Sequence, residues 1–83
     1  MAKCNLILFV TPQTQHVAST VRKLMPPGAD LSVIDVCQHP EEAEKENVIA
    51  VPTLVRKAPL PRESFIGMVS DTSALEAFLR LCS

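Results

Sequence analysis

A proline inside an otherwise apolar stretch constrains the fold of this chain most strongly. Residues 48–57 read VIAVPTLVRK, an apolar segment in which Val51-Pro52 is followed at once by Thr53. Proline has no N–H for a sheet hydrogen bond, so it is tolerated at the start of a strand rather than within one. An X-Pro bond at that point can also be cis, which turns the chain sharply. We predict a cis Val51-Pro52 bond leading into a buried strand; a trans proline that ends a helix is the alternative.

Length and charge limit what the chain can be. With 83 residues it can bury one modest core, so we expect a single domain over residues 1–83. A net charge of -1 and the lack of a basic patch argue against nucleic-acid binding. No apolar run approaches the roughly 20 residues that cross a bilayer. We therefore expect a cytoplasmic protein that contacts neither nucleic acid nor membrane.

Apolar runs and apolar spacing predict seven elements in the order βαβαββα. The strands are predicted at Asn5–Val10, Leu31–Val36, Thr53–Lys57 and Ser64–Val69. A helix over Thr14–Met25, capped by Thr14, carries the stripe Val17, Val21, Leu24 and Met25. A short helix opens at His39-Pro40, and a last helix presents Leu75, Phe78, Leu79 and Cys82 on one face.

The connections between these elements predict the topology. Two strands joined by a helix are expected to be parallel with a right-handed crossover. The last two strands are joined by a short turn and are expected to be antiparallel. The fold class is therefore α/β: a thioredoxin-like domain with a four-stranded mixed sheet and helices on both faces.

The place where a redox protein of this fold holds its thiol carries none here. A nucleophilic thiolate in such a protein lies at the start of the first helix, where the helix dipole lowers its pKa. The chain reads Thr11-Pro12-Gln13-Thr14 at that point, and its three cysteines form no C-x-x-C pair. Cys4 and Cys37 lie at opposite ends of the predicted parallel strands, roughly 20 Å apart. In a reducing compartment we expect all three cysteines to be thiols.

No other constellation indicates catalysis or metal binding. Neither histidine lies at metal-ligand spacing from a cysteine, and two glycines cannot build a phosphate-binding loop. We predict no catalytic residues, no cofactor and no metal.

Two groups of charged residues are candidates for partner binding. One is the outer face of the second helix; the other surrounds the third strand and its turn. Each group is also explained as a solvated surface, and the charges alone do not decide. The candidates are Glu41, Glu42, Glu44, Lys45, Arg56, Lys57 and Arg62.

Several short motifs follow one another in order and without large gaps: Val33–Val36, His39-Pro40 with Ala43-Glu44, Asn47–Val55, Pro59–Arg62, and Ile66-Gly67 with Ser70-Asp71. Together they resemble the KaiB family of clock components and the thioredoxin-like sensor domain of the SasA kinase. The resemblance runs from about Leu6 to Leu79. One departure is the loop Thr11–His16, which lacks the family's usual sequence after the first strand.

The resemblance implies a non-enzymatic interaction module that binds a KaiC-type, RecA-like ATPase, in competition with the sensor domain of the SasA kinase, and regulates a clock or a related signalling system. It also implies two accessible folds, of which the thioredoxin-like form binds KaiC and the other self-associates as a tetramer. The pattern of the back half favours the thioredoxin-like form, and a dimer or tetramer stays open. Two alternatives also remain: a thiol-dependent or glutathione-using enzyme of the same fold, and a self-associating regulator in a stress response.

Overall fold

The structure, a computed structural model, describes residues 4–58, 60–66 and 72–80. Its strands are β1 (Asn5–Val10), β2 (Asp30–Asp35), β3 (Thr53–Ala58) and β4 (Glu63–Ile66). Its α-helices are α1 (Val17–Leu24), α2 (Pro40–Lys45) and α3 (Thr72–Leu79), and a 3-10 turn spans Pro12–Thr14.

The four strands form one mixed sheet in the order β2-β1-β3-β4. β1 is parallel to β2, and β3 is antiparallel to both β1 and β4. The predicted parallel first pair and the predicted hairpin are therefore confirmed. The sequence did not predict that β3 lies beside β1, which makes β2 and β4 the edge strands.

One face of the sheet carries the main core. Leu8 of β1 lies opposite Leu54 of β3, so both side chains point to the same face. That face packs against α1 and α3, which also contact each other. Of the predicted stripe of the first helix, Val17 and Val21 are buried, and Leu24 and Met25 pack partly buried against the core, although Met25 follows the end of α1. The buried residues of this cluster are Cys4, Leu6, Leu8, Val10, Val17, Ala18, Val21, Leu54, Leu75 and Leu79.

The opposite face is covered by the end of α2 and the segment that follows it. Phe9 and Val55 point to this face and are fully buried. Residues 46–49 line a small cleft together with Thr53 and Val55 of β3. Helical segments therefore lie on both faces of the sheet, as the fold class predicts.

The first helix is shorter than predicted, and its predicted cap was wrong. Thr14 does not cap α1; its hydroxyl accepts a hydrogen bond from the Thr11 backbone N–H at 2.8 Å. This local bond, with the Thr14 N–H donating to the Thr11 carbonyl, closes the 3-10 turn before α1 begins. His16 takes the N-cap position instead.

Other boundaries differ by smaller amounts. β2 and β4 begin one residue earlier than predicted, and β3 extends to Ala58. The predicted fourth strand continues to Val69, but residues 67–71 lie outside the described residues. Cys82 of the last helix's predicted face also lies outside them, whereas Leu75 and Leu79 are buried.

Candidate interaction surface

The Val51-Pro52 peptide bond is cis, the conformation that the sequence analysis predicts. Pro52 is buried, and the Thr53 hydroxyl donates to the Ala50 carbonyl at 2.5 Å. Thr53 lies opposite Phe9 near the end of β1. Pro52 therefore lies at the end of the sheet where β1 ends, and it sets the direction in which residues 46–52 lead back into the sheet. A second cis bond, Leu60-Pro61, was not anticipated.

α2 ends in a Schellman motif built around Asn47. The Val48 N–H donates to the Ala43 carbonyl at 2.9 Å, and the Asn47 N–H donates to the Glu44 carbonyl at 3.1 Å. Asn47 has φ 58°, a left-handed conformation that asparagine tolerates better than most residues. These bonds satisfy two carbonyls at the helix end and direct the chain from α2 toward the proline.

Glu46 joins the end of α2 to the β3–β4 hairpin. Lys57 Nζ donates to Glu46 Oε2 at 2.8 Å, and Arg62 Nε donates to Glu46 Oε1 at 3.3 Å. Arg62 Nη2 also donates to the Glu46 backbone carbonyl. The Glu46 side chain is only 11% exposed, against 47% for Lys57 and 38% for Arg62. One carboxylate is therefore shared between two cations that stay accessible to solvent.

These contacts lower the pKa of the Glu46 carboxyl below its ordinary value of 4.5. The main cause is the hydrogen bond from Lys57, which stabilises the charged form; partial burial opposes it. The Lys57 charge, the Arg62 hydrogen bond and the Arg62 charge lower the pKa further. Glu46 is therefore ionised at neutral pH.

Two exposed isoleucines flank the same region. Ile49 is 90% exposed in the segment before the proline, and Ile66 is 56% exposed at the end of β4. Both line a shallow cleft of about 40 Å³ to which Glu46, Arg62 and Ser64 also contribute. We call Glu46, Ile49, Lys57, Arg62 and Ile66 the α2–β3 surface.

The structure places one predicted partner-binding residue in the interior. Arg56 is 2% exposed because it shares the core-facing side of β3 with Leu54. Its Nη2 donates to the Pro61 carbonyl at 3.0 Å, and its guanidinium carbon lies 5.7 Å from the centre of the Phe78 ring. Arg56 is therefore not part of the charged surface predicted around the third strand and its turn. Lys57 and Arg62 are the accessible members of that group.

The acidic candidates lie on α2, apart from the Glu46 cluster. Glu42 pairs with Lys45 at 3.9 Å, and Glu41 lies 3.5 Å from His39. Glu44 is exposed, so the acidic face of α2 is open to solvent.

The end of β1 holds two threonines where a redox protein would hold a thiol. The Thr11 and Thr14 hydroxyls lie 3.1 Å apart and bond each other. Cys37 follows β2 at the same edge, since the Val36 N–H donates to the Val10 carbonyl, and it is a free, exposed thiol. Cys4 is buried and disulfide-bonded, so the expectation of a thiol is wrong there.

Sequence reasoning missed Glu46, Ile49 and Ile66. Glu46 follows three other glutamates in the sequence, and its contacts join residues 11 and 16 positions apart, so no local pattern distinguishes it. The signal for Ile49 was present: an isoleucine beside the turn after α2 is not explained by helix or strand periodicity.

These observations define a thioredoxin-like domain whose first-helix position carries threonines in place of a redox thiol. The N-terminal domain of SasA from Synechococcus elongatus superposes with a TM-score of 0.76 at 27% identity, covering 93% of this chain and 79% of that one. Fasciola hepatica thioredoxin superposes at 0.80 and 22% identity, covering 98% of this chain and 82% of that one, which shows the shared fold.

Sequence comparison places the chain more narrowly. The KaiB domain family matches residues 7–81. The chain is 46% identical over 41 residues to the circadian clock oscillator protein KaiB of Synechococcus elongatus, covering 49% of this chain and 40% of that protein. It is 34% identical over 65 residues to the circadian clock oscillator protein KaiB of a Prochlorococcus marinus strain, covering 74% of this chain and 56% of that protein. The chain belongs to the KaiB family, and it spans less than two thirds of the length of these relatives.

Within the part of the chain that the structure describes, none of the helices has the length and apolar character that crossing a membrane requires. Nor do the described residues bring three metal-ligating side chains together.

Proposed function

We propose that this chain is a non-enzymatic interaction module that binds a KaiC-type ATPase and so regulates a clock or a related signalling system. The KaiB family match over residues 7–81 carries the proposal. The likeness to the SasA N-terminal domain, a second clock-related protein of the same fold, supports it. The threonine pair at the end of β1 supports a binding role rather than a thiol-exchange role at that position.

The geometry suggests which candidates take part. Lys57 and Arg62 lie on the α2–β3 surface and are accessible, and Glu41, Glu42 and Glu44 form a separate acidic face on α2. Opposite charges arranged in this way steer a partner with a complementary pattern and fix its orientation. We also assign a partner contact to Lys45 of α2. We assign none to Arg56, because its side chain is buried.

Co-elution tests the proposal. The purified chain is mixed with the KaiC-type ATPase of the same organism and passed over a size-exclusion column with ATP, ADP or a non-hydrolysable ATP analogue. We expect the chain to elute with the ATPase in at least one nucleotide state. Elution of the two proteins apart in every state would contradict the proposal.

The thiol-dependent alternative makes a different prediction through Cys37, which is exposed at the same sheet edge as Pro52. In an enzyme of that kind, Cys37→Ser would abolish reduction of a glutathione mixed disulfide. If the chain is an interaction module, Cys37→Ser leaves co-elution with the ATPase unchanged, and the wild-type chain reduces no such disulfide above the rate of free glutathione.

A further inference from the structure

We propose that the α2–β3 surface binds an extended segment of a partner protein that pairs with the outer edge of β4 and carries apolar and acidic side chains. The inference rests on the proposed function in one respect: it takes the molecule that binds this surface to be a protein. It adds where that partner lies and what chemistry its contacting segment has.

The first observation is the open edge of the sheet. β4 is the last strand in the order β2-β1-β3-β4 and pairs with β3 on one side. Among the described residues nothing pairs with its other side. An edge strand offers backbone N–H and C=O groups to an added strand, which is a common mode of peptide recognition.

The second observation is apolar area at the same place. Ile66 ends β4 at 56% exposure, and Ile49 stands across the shallow cleft at 90% exposure. Side chains alternate along a strand. A strand added beside β4 would therefore present every second side chain to Ser64, Ile66 and Ile49. Apolar side chains of the added strand at those positions would bury both isoleucines.

The third observation is the charge of this surface. Lys57 and Arg62 share the carboxylate of Glu46, which leaves one positive charge in excess in the cluster. Glu63, the neighbouring acid on β4, lies opposite Arg56 and so faces the other side of the sheet. A partner carboxylate therefore completes the cluster, whereas a partner lysine or arginine is repelled.

A peptide-display selection tests this directly. A library of random 12-residue peptides is selected on the immobilised chain, and the enriched peptides are synthesised and titrated by fluorescence anisotropy. We expect enriched sequences in which apolar residues alternate with polar ones and include aspartate or glutamate. Ile49→Ser is expected to weaken their binding at least tenfold.

Leu60→Ser supplies the matched control. Leu60 is 82% exposed but lies in the β3–β4 turn outside the cleft, so its substitution should leave the dissociation constant within twofold.

Glu46→Gln distinguishes an effect on peptide recognition from an effect on the stability of the fold. Removing the internal carboxylate leaves two uncompensated cations, so acidic peptides should bind more tightly, whereas a merely loosened surface would bind them less tightly.

Three results would overturn the inference: no peptide is enriched, the enriched peptides are basic, or they bind the Ile49→Ser variant as tightly as the wild type. These outcomes are distinct from failure of the proposed function. If peptides behave as expected but the ATPase never co-elutes, the surface stands and its assignment to a KaiC-type partner is wrong.

Discussion

At the scale of single residues, Asn47 decides how α2 ends. Its φ of 58° costs a side chain with a branched Cβ about 1–2 kcal/mol, while glycine adopts it without strain. We expect Asn47→Val to lower the free energy of unfolding by at least about 1 kcal/mol. Asn47→Gly should be neutral within about 0.5 kcal/mol. Urea denaturation followed by circular dichroism measures both, and equal losses for the two variants would contradict the assigned role.

The residue scale also shows why Pro52 was predictable and Arg56 was not. A proline at a strand entry leaves few conformations, so the local sequence was sufficient. Arginine is almost always found at the surface, and that expectation outweighed the strand alternation that places Arg56 on the same face as Leu54. Its partners Pro61 and Phe78 come from separate parts of the chain, and neither is visible as a local pattern.

At the scale of elements, Glu46 joins α2 to the β3–β4 hairpin, and the strength of this connection depends on pH. Because the pKa of Glu46 is lowered in the fold, its contribution to stability is present above the ordinary value of 4.5 and is lost as pH falls through the folded pKa. Lys57 and Arg62 are each more than a third exposed, so solvent screens the pairs and the contribution is about 1 kcal/mol.

Glu46→Gln is therefore expected to destabilise the chain by about 1 kcal/mol at pH 7 and by less below pH 4.5. Thermal or urea unfolding at a series of pH values measures the difference from the wild type. Glu44→Gln, at an exposed position on the same helix, is the control and should change little at any pH. A Glu46→Gln deficit that stayed constant or grew toward low pH would rule out the ion pairs as its source.

The elements themselves were largely predictable because their apolar spacing is regular. Asn5–Val10 has identical bounds in the prediction and in the structure, since a continuous apolar run suits a strand covered on both faces. The start of α1 was misplaced because Thr11 and Thr14 bond each other before the helix begins. Whether Thr14 caps the helix or bonds Thr11 depends on the path that the chain takes as it leaves the sheet.

At the scale of the whole molecule, the order of strands places the open edge and the cis-proline segment on the same half of the sheet. The βαβ and hairpin units followed from connection lengths, but the position of β3 beside β1 did not, because either of two neighbours satisfies those rules. The α2–β3 surface exists only through that arrangement. It draws residues from α2's end, β3, the hairpin turn and β4.

Competition for a KaiC-type ATPase tests the central proposal most directly. The ATPase is saturated with a fluorescently labelled N-terminal domain of SasA, and the unlabelled chain is added in rising amounts while anisotropy is recorded. If the chain is a KaiB-family module on this scaffold, it displaces the labelled domain in a saturable way, and Cys37→Ser displaces it equally well. Anisotropy that stays unchanged up to a large excess of the chain would contradict the proposal.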